Sequence, residues 1–155
     1  MGLLATGGSV DQGSQPLLPG QGFFIKRSVG TAISPLLLGH VRPNRFIQPL
    51  AVGFNLVSEP YPLNHDPVQR RALPSMNSFT ASTNVSQADQ VQSYSAGQYT
   101  TRFLLDHPVD GPVWRRTSGS TASQNNVPFF LHNRASFIRR ISGVNNYRIN
   151  PTWSP

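Results

Sequence analysis

The chain has 155 residues and a mass of 17.0 kDa, enough for one domain that buries its own core without metal or disulfide staples, and too little for two full domains. It has no cysteine, which excludes a disulfide framework, a thiolate metal site and a cysteine nucleophile, and its 13 glycines and 14 prolines leave little room for long helices. The formal charge of +7 suits anionic partners: nucleic acid, acidic polysaccharide or a neighbouring subunit's carboxylates.

Residues 1–21 are rich in Gly, Ser, Gln and Pro, have no period that would bury a face, and read as a flexible N-terminal arm. They lack the basic start and long apolar stretch of a secretory signal, so the chain is either not exported or a mature or excised segment. Met1-Gly2-Leu3-Leu4-Ala5-Thr6 fits the short myristoylation pattern, which Gly after Met meets often by chance. No stretch has the length of a membrane-spanning helix.

From Gly22 the pattern turns strand-like. Short apolar or alternating runs at Phe23–Arg27, Leu36–Val41, Phe46–Pro49 and Gly53–Ser58 predict an antiparallel meander. Asp66 before Pro67 predicts a helix cap, a helix of about two turns over Val68–Leu73 and a stop at Pro74. Ser75–Ala88 reads as a long polar loop with a brief helical turn over Ser86–Gln90. Strands resume at Gln90–Tyr94 and Gln98–Leu105, joined as a hairpin through Ser95-Ala96-Gly97. After the loop Asp106–Gly111 comes Val113–Arg116, and after the polar loop Thr117–Asn126 come Pro128–Asn133 and Ser136–Ile141. Residues 145–155 predict an extended C-terminal tail. The fold expected for residues 22–144 is an all-β sandwich or flattened barrel of short antiparallel strands with one short helix and extended terminal arms.

Gly22-Phe23-Phe24-Ile25-Lys26-Arg27 and Pro128-Phe129-Phe130-Leu131-His132-Asn133-Arg134 are near-copies, each an apolar doublet sealed by basic residues. They predict two equivalent strands closing a single fold. Neighbouring strand residues face opposite ways, so one ring of each doublet fills the core. The other is either covered by a second layer of the sandwich or meets another subunit. On the latter alternative the candidate interface residues are Phe23, Phe24, Arg27, Phe129, Phe130 and Arg134. The pairs Arg70-Arg71, Arg115-Arg116 and Arg139-Arg140 are spread along the chain, and a strand-borne pair splits between two faces.

Catalysis finds little support, since no H-E-x-x-H, G-x-S-x-G or Walker spacing occurs. Asp106-His107-Pro108-Val109-Asp110-Gly111 could hold a cation, yet a hairpin turn explains the same residues, and no cofactor or metal is expected. Nothing in the sequence brings His40, His65 and His132 together. Asn84-Val85-Ser86 meets the glycosylation acceptor pattern in a Ser/Thr-rich loop, which makes Asn84 a candidate sugar site, with chance occurrence as the alternative. Trp114, Trp153, Tyr61 and Tyr147 suit either a sugar-stacking platform or core and interface packing.

The strand phrase Gly53-Phe54-Asn55-Leu56-Val57-Ser58-Glu59-Pro60-Tyr61-Pro62 follows Gly22-Phe23-Phe24-Ile25-Lys26-Arg27 and precedes Gln98-Tyr99-Thr100-Thr101, Trp114 and Pro128-Phe129-Phe130. In this order the phrases resemble a group of secreted β-rich bacterial surface proteins of Verrucomicrobia and Planctomycetes. Departures are Glu59, where Asn is usual, and Pro128 with His132-Asn133 in the last phrase. The resemblance implies an extracellular or cell-surface setting and carries no activity. The expectation is therefore a non-enzymatic structural subunit that self-assembles with copies of itself into a filament, sheath or surface layer. The alternatives are a cell-surface module for acidic glycans and a viral or nucleoprotein coat. Against the coat, and against nucleic acid as a partner, stands an arm over residues 1–21 without Lys or Arg.

Overall fold

A computed structural model describes Pro16, Gly30, residues 44–119 and residues 121–150. Seven strands are found among them: β1 (Phe46–Leu50), β2 (Gly53–Ser58), β3 (Gln90–Ser95), β4 (Gln98–His107), β5 (Gly111–Arg116), β6 (Ala135–Arg140) and β7 (Asn145–Ile149). They form a five-stranded antiparallel sheet in the order β2-β6-β3-β4-β5 and a two-stranded sheet of β1 and β7. One short helix, α1 (Pro74–Asn77), and a 3-10 turn over Val85–Gln87 lie between β2 and β3. The sheets share one core and form a sandwich, with no closed barrel among the described residues.

A single bent ribbon runs through both sheets. β1 pairs with β7 from Phe46↔Ile149 to Leu50↔Asn145, and β2 pairs with β6 from Gly53↔Arg140 to Ser58↔Ala135. Only Ala51 and Val52 separate β1 from β2, and residues 141–144 separate β6 from β7. The same antiparallel pair thus leaves one sheet and enters the other, turning at these two joints. Gly53 takes φ +96 at the first joint, a conformation that a Cβ disfavours. Asn55 ties that joint: its Oδ1 accepts the Ala51 N–H at 2.9 Å, and its Nδ2 donates to the carbonyls of Ala51 at 2.8 Å and Gly53 at 3.1 Å. At the second joint the Asp89 Oδ1 accepts the Ile141 N–H at 2.7 Å.

Period-two alternation places Val57, Ile138, Val91, Leu104 and Trp114 on the inner face of the larger sheet, against Phe46, Leu50, Tyr147 and Ile149 from the smaller one. Phe79 fills the space between, its ring centroid 6.0 Å from Trp114 and 5.5 Å from Tyr147. The polar atoms that enter with these rings are satisfied by carbonyls. Trp114 Nε1 donates to Ala72 at 2.7 Å, Tyr147 to Arg70 at 2.9 Å and Tyr61 to Asn44 at 2.8 Å.

Several sequence expectations need correction. Residues 145–149 are not tail but β7, an integral half of the ribbon. β1 and β2 do not form a meander, because the joint sends them to different sheets. The cap at Asp66 forms, with Asp66 Oδ1 accepting the Gln69 N–H at 2.8 Å and Gln69 Oε1 accepting the Asp66 N–H at 3.2 Å. The chain after it makes turns only, and Arg71 at φ 60 interrupts them. Pro74 opens the helix where it was expected to stop one, since the first helical position needs no N–H. Pro128–Asn133 is a connection, not a strand, held to the fold by an isolated bridge in which His65 and Phe130 exchange N–H···O bonds of 2.9 and 3.1 Å. The expected strands at Phe23–Arg27 and Leu36–Val41, and the N-terminal arm apart from Pro16, lie outside the described residues.

Candidate functional site

Residues opposed across an antiparallel ladder share a face, so the register of the larger sheet assigns its outer face. That face carries Phe54 and Leu56 on β2, Phe137 and Arg139 on β6, Gln92 and Tyr94 on β3, and Tyr99 and Thr101 on β4. Phe103 and Val113 are buried on it, whereas Phe54, Tyr99 and Tyr94 are 60%, 54% and 45% exposed. Their rings make a diagonal run through half-buried Phe137. Phe54 meets Phe137 edge-on at 6.1 Å, Phe137 meets Tyr99 at 6.5 Å, and Tyr99 meets Tyr94 at 4.9 Å. Exposed apolar residues are ordinary when scattered; a connected aromatic run on one face is what interaction surfaces carry. The outward residues of β2, β6, β3 and β4 include no carboxylate, and Arg139 stands opposite Phe54.

The charged groups that suggest chemistry lie inside. Glu59 Oε2 sits 3.1 Å from His65 Nδ1 and 3.4 Å from Arg70 Nε, with all three side chains at or below 1% exposure. The Arg70 guanidinium lies 5.4 Å from the Phe130 ring centroid and 5.1 Å from that of Tyr147. Burial pushes the Tyr147 hydroxyl well above its ordinary value, the Arg70 charge opposing. A histidine, a carboxylate and an arginine in contact are a set used in acid–base catalysis, but enclosed in this way they brace the segment after β2 against the ribbon. Asp89 and Arg140 do the same for the second joint. Asp89 Oδ2 accepts the Thr80 N–H at 2.8 Å and lies 3.2 Å from Arg140 Nη1, while Arg140 Nη2 donates to Ser78 O at 2.8 Å. Burial raises the Asp89 carboxyl, against the N–H groups of Thr80 and Ile141 and the Arg140 charge.

The predicted interface residues are not brought together. Phe23, Phe24 and Arg27 lie outside the described residues. Phe129 and Phe130 are both buried at 3% exposure, which corrects the expectation that one ring of that doublet could reach another subunit. In a connection freed from strand alternation both rings turn inward, 4.8 Å apart, Phe129 against Trp114 and Phe130 beside Arg70. Arg134 is exposed. Asn84 is exposed too, its Oδ1 accepting the Ser86 N–H at 3.0 Å as the cap of the 3-10 turn. At the end of β4, His107 Nδ1 sits 3.1 Å from Oδ2 of Asp110 in the following turn, an ion-pair distance. Among the described residues no group of three or more His, Asp or Glu side chains is placed to hold a metal, and no helix is long and apolar enough to cross a membrane.

Sequence reasoning missed Phe54, Tyr94 and Tyr99. The signal was present: a two-residue turn at Ala96-Gly97 forces Tyr94 opposite Tyr99, on the face away from Val91 and Leu104. Compared with models of protein families, with curated proteins and with solved structures, the chain gives no match.

Proposed function

We propose that this protein is a non-enzymatic structural subunit whose copies associate through the outer face of the larger sheet into a filament, sheath or layer in an extracellular or cell-surface setting. The observation that carries this is the aromatic run through Phe54, Tyr99 and Tyr94, all at least 45% exposed on a rigid antiparallel sheet. Aromatic rings and arginine are the residue types that interfaces concentrate, and covering such rings stabilises by roughly 25 cal/mol per Å² of apolar surface. The test is sedimentation velocity over a range of protein concentrations, comparing the unaltered chain with Tyr94→Ser/Tyr99→Ser. Concentration-dependent association that weakens at least roughly tenfold in the variant, with an unchanged melting curve, is expected. A strictly monomeric chain, or a variant that associates equally well, overturns the reading.

A second reading, a module for acidic glycans, is favoured by the lack of carboxylates among the outward residues around these rings and by Arg139 beside Phe54. Retention on immobilised heparin that the same double variant abolishes would support it; indifference to the variant would remove it.

A further inference from the structure

Three of the described arginines are buried, and two of them have a carboxylate: Arg70 has Glu59 and Arg140 has Asp89. The third, Arg102, has none at ion-pair distance among the described residues. Its side chain lies on the inner face of the larger sheet, two positions before Leu104 on β4, and its guanidinium stands over the Phe129 ring. Such a ring contact uses the face of the guanidinium and leaves its N–H edge for an acceptor. Among the described residues nothing accepts at Nε or Nη1, and both atoms are buried. The one acidic residue of β4, Asp106, is four residues further along, roughly 13 Å away. Arg116, opposite Arg102 on the same face of the β4–β5 ladder, brings a second cation with its Cβ about 5 Å from that of Arg102. It too lacks a carboxylate among the described residues, and it is exposed, so the pair runs from the interior out to solvent. Ser93 and Thr100, opposed on this same inner face, add two hydroxyls beside Arg102.

We propose that Arg102 and Arg116 bind a small tetrahedral oxyanion, a sulfate or phosphate group, at the inner face of β4 and β5. A guanidinium taken out of water without an acceptor destabilises the fold, and a like charge beside it adds to that. A doubly charged oxyanion removes both penalties at once, because it presents oxygens to two N–H edges and its charge matches that of the pair. Sulfate or phosphate is favoured over a carboxylate: four oxygens at the corners of a tetrahedron reach two guanidiniums on neighbouring strands, whereas the two oxygens of a carboxylate lie in one plane. Such a group arrives as the free ion or as an ester on a sugar. The site is on the inner face and the aromatic run on the outer, so the proposal stands whether or not copies of the chain associate.

The test adds sodium sulfate, up to about 10 mM, to the unaltered chain in a chloride buffer of constant ionic strength, and follows the melting midpoint together with binding by isothermal titration calorimetry. A saturable rise of several degrees is expected, since a ligand that binds the folded state alone stabilises it, whereas the general action of sulfate on proteins does not saturate. Arg102→Met removes the buried guanidinium and keeps its length, and Arg116→Ser removes the exposed one. Each is expected to lose at least roughly tenfold in sulfate affinity, the worth of a charge-assisted hydrogen bond. Arg148→Ser, exposed on β7 in the other sheet, lowers the net charge equally and is expected to bind as the unaltered chain does. Galactose 6-sulfate separates the two sources: binding of the ester as well as the ion supports a site open to a group carried on a sugar, and binding of the ion alone supports a site closed around it. No saturable response to either ligand overturns the proposal. So does either arginine variant of the pair binding sulfate as tightly as the unaltered chain, or an equal loss in Arg148→Ser.

Discussion

Arg102 is held at 7% exposure with its guanidinium 4.5 Å from the Phe129 ring centroid and no carboxylate at ion-pair distance among the described residues. Among the described residues its Nε and Nη1 have no hydrogen-bond partner, and Arg116 stands opposite it across the β4–β5 ladder. Arg70 and Arg140, equally buried, each have a carboxylate. Burial first, and then the Arg116 charge, bring the Arg102 guanidinium down to about 10. The folded state therefore holds this proton less tightly than the unfolded chain does. The group opposes folding at neutral pH, and its penalty fades as pH rises above about 10. A desolvated contact with Phe129 returns on the order of 2 kcal/mol, less than the several kcal/mol that burying an ion costs. Arg102→Met, of similar length and no charge, is expected to stabilise the fold by about 1–3 kcal/mol and to raise the calorimetric midpoint at pH 7 by several degrees. A lower midpoint would mean that the contact with Phe129 outweighs the burial penalty.

The β3–β4 hairpin shows how far local chemistry carries an element. Ser95 pairs with Gln98, so the loop is two residues, and both of them, Ala96 at φ 50 and Gly97 at φ 82, lie in the left-handed region that a type I′ turn requires. Glycine takes this conformation freely, whereas alanine does so at a cost of about 1 kcal/mol. Ala96→Asn keeps the turn and relieves part of that strain, so the urea midpoint should rise by the equivalent of about 0.5–1 kcal/mol; a fall would show that the side chain at residue 96 is crowded. This hairpin, the bounds of β2 at Gly53 and Ser58, and the all-β class were legible because alternation and turn residues act over a few positions. The Tyr94–Tyr99 pairing was equally legible once the loop length was fixed. What resisted reading depends on distant partners. Nothing near Asn145 announces that β7 completes a ribbon begun at Phe46, and nothing near Phe129 shows that His65 will hold the connection inward by one bridge. Pro74 illustrates the same limit at short range, since a proline both ends and begins helices and only the left-handed Arg71 before it decides which.

For the molecule as a whole, a single two-fold contact closes into a dimer, whereas a filament or layer needs contacts whose combined operation does not close. Charge opposes this assembly: each copy carries +7, and approaching copies repel over a Debye length of about 8 Å at physiological ionic strength, longer in dilute buffer. The rings that carry the proposed contact are uncharged. β2 contains no ionisable side chain, and Tyr94 and Tyr99 meet through their rings. Salt therefore screens the repulsion without weakening the attraction, and association measured by sedimentation should strengthen as sodium chloride rises from about 20 mM to about 500 mM. Retention by an acidic polysaccharide has the opposite slope, because each neutralised anionic group releases a counterion that added salt drives back. If self-association instead falls as salt rises, its source is ion pairing by the dispersed arginines, and the aromatic face loses its place as the contact that joins copies.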